Sequence, residues 1–559
     1  MRPDIGGCDL FSLPKRQLRP PNWARRDSLS SDRSSGPATK SDMADIANEG
    51  LNVTDNSAAP FPSVFAALEA SVRTNPDKVA VIFEDQSLSY RQLLEKVDNT
   101  ARHLLALGIG KGETVAAFAQ NRPELIYCYY AAARLGAIFV PLNPNLTQSE
   151  VEYSFRHSDA KILFYDDLVA DTAKGAVAAE ALVPMSRLGN VLPATEIAAP
   201  SVEPDDDFLI IYTSGSTGAP KAIILDHKAQ INCPIALARL WGVTSADKTL
   251  VALPLGYLYG LSTAAAAGLQ AGGTVIILRR FHPRDVLEAF IEHQVSVFHG
   301  VPTMFSMMLE YCEQRDLKFD LSGVRKLICA GAPLSDEMAG RFEGKFARSL
   351  ENYYALTECT PVFGRYFDNA HALPDGSIGR AAPGAIVKVV RSDGSECAVD
   401  EDGELLVQAA ATMKRYLKNP EMTQATMTDG LFRTGDLVKR DEDGFFYITG
   451  RIKEIIIRGG ANISPSEVEK VLIAHPGVQD AAVIGATDRI FGEIPVAIVV
   501  RRHGSEVTQD ELIAHVEATL SDFKVPRTIF FEPVLPQGKT GKTDKKLLKE
   551  RVEPLLAAR

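Results

Sequence analysis

The stretch YTSGSTGAPKAIILDH, residues 212–227, decides the fold. It closes the apolar run DFLIIYT (207–213) and leads into AIIL, so its polar middle is bracketed by two strand-like stretches. A flexible Gly/Ser linker would not be flanked so closely by apolar sequence. Gly215 and Gly218 let the backbone fold tightly around an anion. Thr213, Ser214, Ser216 and Thr217 offer hydroxyl donors, and Lys221 adds a point charge. These residues read as a phosphate-gripping loop.

Outward from the loop, a short apolar strand followed by an amphipathic helix recurs up to about residue 350, the rhythm of βαβ units and parallel sheets. KVAVIFED (78–85) reads as a strand and SYRQLLEKVDNTARHLLALG (89–108) as a helix. Ser89 and Gln92 form a capping box; Leu93, Leu94, Val97, Ala101, Leu104 and Leu105 share a face, and Gly108 stops the helix. LIYCYYAAARLGAIFVPL (125–142) is broken by Arg134 and Gly136 and predicts a buried helix then a strand, not a membrane span. Between about 375 and 450, turn signals such as RSDGSE, DEDGE and DEDGFFYITG predict a β-rich subdomain. After Arg451 a smaller strand and helix mixture follows. The fold class is therefore α/β: a large N-terminal domain of βαβ sheets with a β-rich subdomain, then a small α+β C-terminal domain. The boundaries expected are a disordered tail over 1–56, the large domain over 57–451 and a lid over 452–559. The tail is rich in Ser, Pro, Arg and Asp without apolar period. Its aspartates oppose a transit peptide, and translation from Met43 is the plainer reading.

The composition excludes several classes of protein. A chain of 559 residues, 45% hydrophobic and 23% charged, is that of a globular enzyme-sized protein. The net charge of −11 opposes general nucleic-acid binding, which depends on cationic surface. Seven cysteines without a C-x-x-C pair exclude a zinc ribbon and point to a reducing, cytoplasmic setting. The sequence carries no sign of oligomeric state.

Further motifs follow the loop in order: NYYALTE (352–358), RTGDL (433–437), TGRIKEIIIRGG (449–460) and LPQGKTGKTDKK (535–546). The last holds Gly-Lys-Thr twice, yet a Walker loop needs glycine where Pro533 and Pro536 stand. From about residue 60 to the C-terminus the ensemble resembles the adenylate-forming superfamily: acyl-CoA synthetases, peptide-synthetase adenylation domains and firefly luciferase.

The resemblance implies ATP, Mg²⁺ and CoA as cosubstrates and cofactors, with a small carboxylic acid as the other partner. By position, Asn352 would bond adenine, Tyr354 would stack on it, Thr357 would meet the α-phosphate and Glu358 would hold Mg²⁺. Asp436 would clamp the ribose hydroxyls, with Arg451 beside ribose and phosphate. Lys453 would be the hinge, and Gly459 and Gly460 would line the pantetheine path. Lys542 would be the catalytic lysine, acting with Thr217 and Glu358, and Lys539 a lesser neighbour. Lys545 and Lys546 are expected on a solvated helix face. For the acid, LPLGYLYGL (253–261) lacks the aspartate that pairs an amino group and carries Tyr257 where related ligases have histidine. Ala355 replaces a usual glycine. FHGVPTM (298–304) resembles an acyl-pocket segment, making His299, Gly300, Gly331, Tyr257 and Ala355 acyl-site candidates; a satisfied core histidine is the equal alternative for His299. The implied activity is an AMP-forming carboxylic acid:CoA ligase for a fatty or other non-amino acid, the alternative being a stand-alone adenylating enzyme that loads a carrier protein.

Overall fold

The computed structural model describes residues 59–190, 197, 200–213, 220–367, 373–458, 461–538 and 543–557. Two seven-stranded sheets carry the large part of the chain. One runs in the order Glu351–Asn352, Lys326–Cys329, Val297–Gly300, Lys248–Val251, Thr274–Ile277, Val79–Phe83 and Gln86–Ser89, parallel throughout except for the last hairpin. The other holds Thr114–Phe118, Ile138–Leu142, Ala160–Tyr165 and Asp207–Thr213 in parallel. Here the strand–helix rhythm has one exception. Lys221–Asp226 pairs antiparallel with Asp207–Thr213, a hairpin and not a βα crossover.

Local chemistry explains these elements. The helix Tyr90–Ala106 starts with the reciprocal Ser89 and Gln92 capping box and buries Leu93, Val97, Ala101 and Leu104. Leu105 is 37% exposed, because one residue beyond Leu104 turns about 100° off the buried stripe. The helix Pro123–Leu135 buries all but Glu124 and Arg134, and Gly136 ends it in the left-handed region at φ 64°. Apolar on nearly every side, it belongs in an interior. Among the described residues no helix is long and apolar enough to cross a membrane.

The β-rich region is an antiparallel sheet of Ile386–Val390, Gly403–Gln408, Met427–Thr428, Leu431–Arg440 and Phe446–Arg451. Beyond it, Ile456–Arg458, Ala461–Ile463, Val478–Asp488, Gly492–Arg501 and Thr528–Phe531 form a last sheet. This sheet has cores of its own: Ile456, Val468, Val483 and Leu512 on one face, Ile484, Val496, Leu535 and Leu548 on the other.

Candidate active site

Three sequence-predicted residues from separate segments meet at one carboxylate. Strand register sets Asp436 opposite Arg451, and Arg451 Nε donates to Asp436 Oδ1 at 2.5 Å. The Tyr354 hydroxyl donates to the other oxygen, Oδ2. Asp436 itself is 1% exposed, so its charge is shielded from water and set by these two partners. Burial first, then the Asp436 charge, drives the Tyr354 phenol well above its usual range. Burial opposes the charge on Arg451, but Asp436 outweighs it and raises that pKa. The result is a rigid, two-oxygen acceptor beside a half-exposed cation. Asn352 stands two residues away along the chain from Tyr354, its side-chain amide donating to the Ser377 carbonyl at 3.1 Å.

A second group centres on Glu358. The Tyr416 hydroxyl donates to Glu358 Oε1 at 2.9 Å, and Lys221 Nζ lies 5.2 Å from the centre of the Tyr416 ring. Burial, then Glu358, pushes the Tyr416 pKa upward, so the phenol remains a donor. Sequence reading missed Tyr416, which lies far along the chain from both partners. The antiparallel pairing of Arg415–Tyr416 with Lys221–Asp226 brings it to Lys221, and that of Ala411–Thr412 with Cys359–Thr360 brings it to Glu358. Thr213 ends the strand before the loop, and Thr357 is partly buried next to Glu358.

The acyl candidates differ in their surroundings. His299 is 2% exposed, with edge-on contacts to Trp241 (ring centres 5.1 Å) and Tyr259 (5.7 Å). Burial pushes its pKa down to about 3, so the ring is neutral. Its Nδ1 is buried and has no hydrogen-bond partner among the described residues. Tyr259, which sequence reading passed over, opens a π-helical turn, Tyr259–Ala266. Tyr257, the residue singled out instead, is partly buried beside the Asn143 side chain, and burial raises its pKa. Gly300 is held small by packing, since a Cβ there would come 2.8 Å from the Phe305 ring. Gly331 sits at φ +87°, and Ala355 packs partly buried against the main core.

Lys453 is exposed in a short 3₁₀ turn, Ile452–Glu454. Ser214, Gly215, Ser216, Thr217, Gly218, Gly459, Gly460, Lys539 and Lys542 lie outside the described residues. One expectation is corrected: Lys545 is not on a solvated face. It opens the helix Lys545–Ala557 and binds Glu454 and Glu469, each at 2.8 Å, because its side chain turns inward between the turn Ile452–Glu454 and the helix Pro465–Ile473. Lys546 is solvated as expected, with its side chain 76% exposed.

Residues 68–417 match the family described as AMP-binding enzyme, and residues 467–542 match the AMP-binding enzyme C-terminal domain. The chain belongs to the AMP-binding enzyme family. Like other AMP-binding enzymes it aligns with its relatives over nearly their whole length. A feruloyl-CoA synthase from Amycolatopsis sp is 35% identical, with 84% of this chain and 95% of that protein covered. A long-chain-fatty-acid–CoA ligase from Bacillus subtilis is 30% identical over 88% of this chain and 95% of its own. The ATP-bound structure of MatB from Rhodopseudomonas palustris superposes with a TM-score of 0.82 at 29% identity, covering 88% of this chain and 99% of that one. The Tyr354, Asp436 and Arg451 cluster is thus part of an AMP-binding enzyme.

Proposed function

We propose that the protein is an ATP-dependent carboxylic acid:CoA ligase acting on a fatty or other non-amino acid. The observation that carries this reading is the convergence of Tyr354 and Arg451 on the buried Asp436 carboxylate. In this reading Tyr354 and Asn352 hold adenine, Asp436 accepts from the ribose hydroxyls, and Arg451 and Thr357 meet the α-phosphate. Thr213, Ser214, Gly215, Ser216, Thr217, Gly218 and Lys221 grip the outer phosphates. A carboxylate oxygen of the acid attacks the α-phosphorus and the bond to pyrophosphate breaks. The CoA sulfur then attacks the acyl carbon, its proton passing to solvent, and AMP leaves. Lys542 supplies the cation between two approaching anions in the first step.

Glu358 fits Mg²⁺. Among the described residues no group of three or more His, Cys, Asp or Glu side chains is placed to hold a metal. Mg²⁺ beside nucleotides needs only one or two carboxylates plus phosphate oxygens, and Tyr416 orients this one. Bound there, the dication would neutralise phosphate charge.

Residues 452–559 act as a lid that turns about Lys453, bringing Lys542 to the site for adenylation and Gly459 and Gly460 for thioester formation. The separate cores of the last sheet support a body that moves as one. So do its ties to the helix Asp336–Phe346, Arg502 to Glu337 at 2.5 Å and Lys470 to Asp336 at 3.7 Å. Both pairs are solvent-accessible, and such pairs contribute about 0–1 kcal/mol each, little enough to break in every cycle. The test is a screen of carboxylic acids, aliphatic by length and aryl, scored by AMP release with CoA and, separately, with acyl carrier protein. CoA-dependent release with an acyl-CoA product is expected. Release only with carrier protein would replace the ligase by a carrier-loading enzyme.

A further inference from the structure

His299 stands at the end of the strand Val297–Gly300 and bounds a cavity of about 10 Å³, the space of one water-sized group. Its wall is mostly apolar, with Leu237, Trp241, Val243 and Ala264 beside Thr249 and Thr263. The small residues come from the π-helical turn and the short helix after it, Ala267–Gln270. A π turn widens a helix locally and is most often found at functional positions. Gly268 keeps that side open to the strand behind, because a Cβ there would crowd Val275 and Thr249 at 3.1 and 3.2 Å.

Two features set this cavity apart from ordinary packing. Nδ1 of His299 is buried without a partner among the described residues, although a buried polar atom is costly to leave unpaired. The rings around it are aromatic: Trp241 meets both His299 and Tyr353, at 5.1 and 5.0 Å between ring centres, and Tyr259 completes the box. Tyr353 directly precedes Tyr354, the partner of Asp436, so box and nucleotide site share one stretch of backbone. A neutral imidazole presents one donor and one acceptor, and a hydroxyl, which does both, complements it in either tautomer.

We infer that the orphaned His299 nitrogen and the cavity beside it receive a hydroxyl carried at the end of the acid remote from its carboxylate. The inference rests on the ligase reading and narrows its substrate to a hydroxylated carboxylic acid. The carrier of that hydroxyl is either an aromatic ring or an aliphatic chain, and the aromatic box favours the ring.

The experiment compares matched acids that differ only in that group: phenylpropanoic acid against its para-hydroxy derivative, and octanoic acid against its ω-hydroxy derivative. CoA-dependent AMP release gives kcat/KM for each. Trp241 is one of two tryptophans, so in a Trp23→Phe background its fluorescence reports acid binding without catalysis. The hydroxylated aryl acid is expected to be preferred by about tenfold or more in both readouts. His299→Met should bring that ratio near one with the KM for ATP unmoved, and His299→Gln should keep part of it. If the aliphatic pair alone shows the His299-dependent preference, the hydroxyl subsite stands on a chain and not a ring. A ratio near one in the wild type for both pairs, or one that His299→Met leaves unchanged, overturns the inference and leaves the cavity to a structural water. Brisk AMP release without the preference removes the subsite and keeps the ligase. His299-dependent binding without AMP release from any acid keeps the subsite and removes the ligase. Should His299→Met fail to fold, His299→Gln carries the comparison.

Discussion

The carboxylate of Asp436 and the imidazole of His299 are both nearly sealed from water, yet they are equipped in opposite ways. Asp436 has a phenol on one oxygen and a guanidinium on the other, whereas His299 has a buried nitrogen with no partner among the described residues. The first arrangement locks an acceptor in place before any ligand arrives, which suits a nucleotide that is the same in every turnover. The second leaves a bond to be made by whatever enters, which suits the component that varies between enzymes of one family. In the proposed function, satisfaction marks the common site and orphaning the selective one.

The largest expected effect tests whether either region does the bond-making. Lys542→Ala should lower acid-dependent adenylation by about 10²–10³, the usual loss for one transition-state contact, and by the same factor for every acid. Supplied acyl-AMP and CoA should still give acyl-CoA, because that step uses the other pose of the lid. A loss that varied with the acid would place Lys542 on the selective side of the comparison.

Next, Asp436→Asn should raise the KM for ATP about 10- to 100-fold, since hydrogen bonds to a charged group contribute about 1.5–3 kcal/mol. The preference among acids should not move. Steady-state kinetics with ATP varied at two acids checks this, and a changed acid preference would merge the two regions into one site.

The two regions also differ in how far the sequence revealed them. That Asp436, Arg451 and Tyr354 belong together was legible from the motifs that carry them, and the structure joins their side chains. The helix over residues 90–106 was legible from its capping box and apolar stripe. His299 was legible as a candidate but not as an orphan, because whether a polar atom has a partner depends on contacts from other segments. Tyr259, the ring edge-on to His299, was overlooked because no periodicity announces a π turn. Lys545 was misread as solvated because helix phase alone does not reveal that Glu454 and Glu469 stand opposite it.

That lysine extends the comparison to a third cluster, paired on Glu454 and Glu469. Lys545→Ala leaves Glu454 and Glu469 facing each other and should cost about 1–3 kcal/mol, while Lys546→Ala should change stability by a few tenths. Urea midpoints of the two variants check it. Burial opposes the charge on Lys545, but Glu469 and Glu454 raise its pKa, so its contribution is complete at neutral pH. It is lost only as pH rises above the unfolded lysine value of about 10.4. Equal effects of the two substitutions would return Lys545 to the surface.

A smaller effect concerns acid. Burial lowers the pKa of His299 to about 3 and of His227 to about 4, so the unfolded chain takes up protons below about 6.5 that the folded chain refuses. Stability should therefore fall as pH drops from about 6.5, by about 1.4 kcal/mol per pH unit for each ring. His299→Met should remove one of the two contributions, and an unchanged slope between pH 6 and pH 5 would mean that its ring is not sealed.

An acyl-adenylate formed before CoA takes part is the centre of the proposed reaction. Acid-dependent exchange of labelled pyrophosphate into ATP, measured without CoA, tests this most directly. Exchange should require acid, ATP and Mg²⁺ and no thiol, and CoA should then release AMP in step with thioester. Exchange absent from every acid in the screen until CoA is added would contradict it.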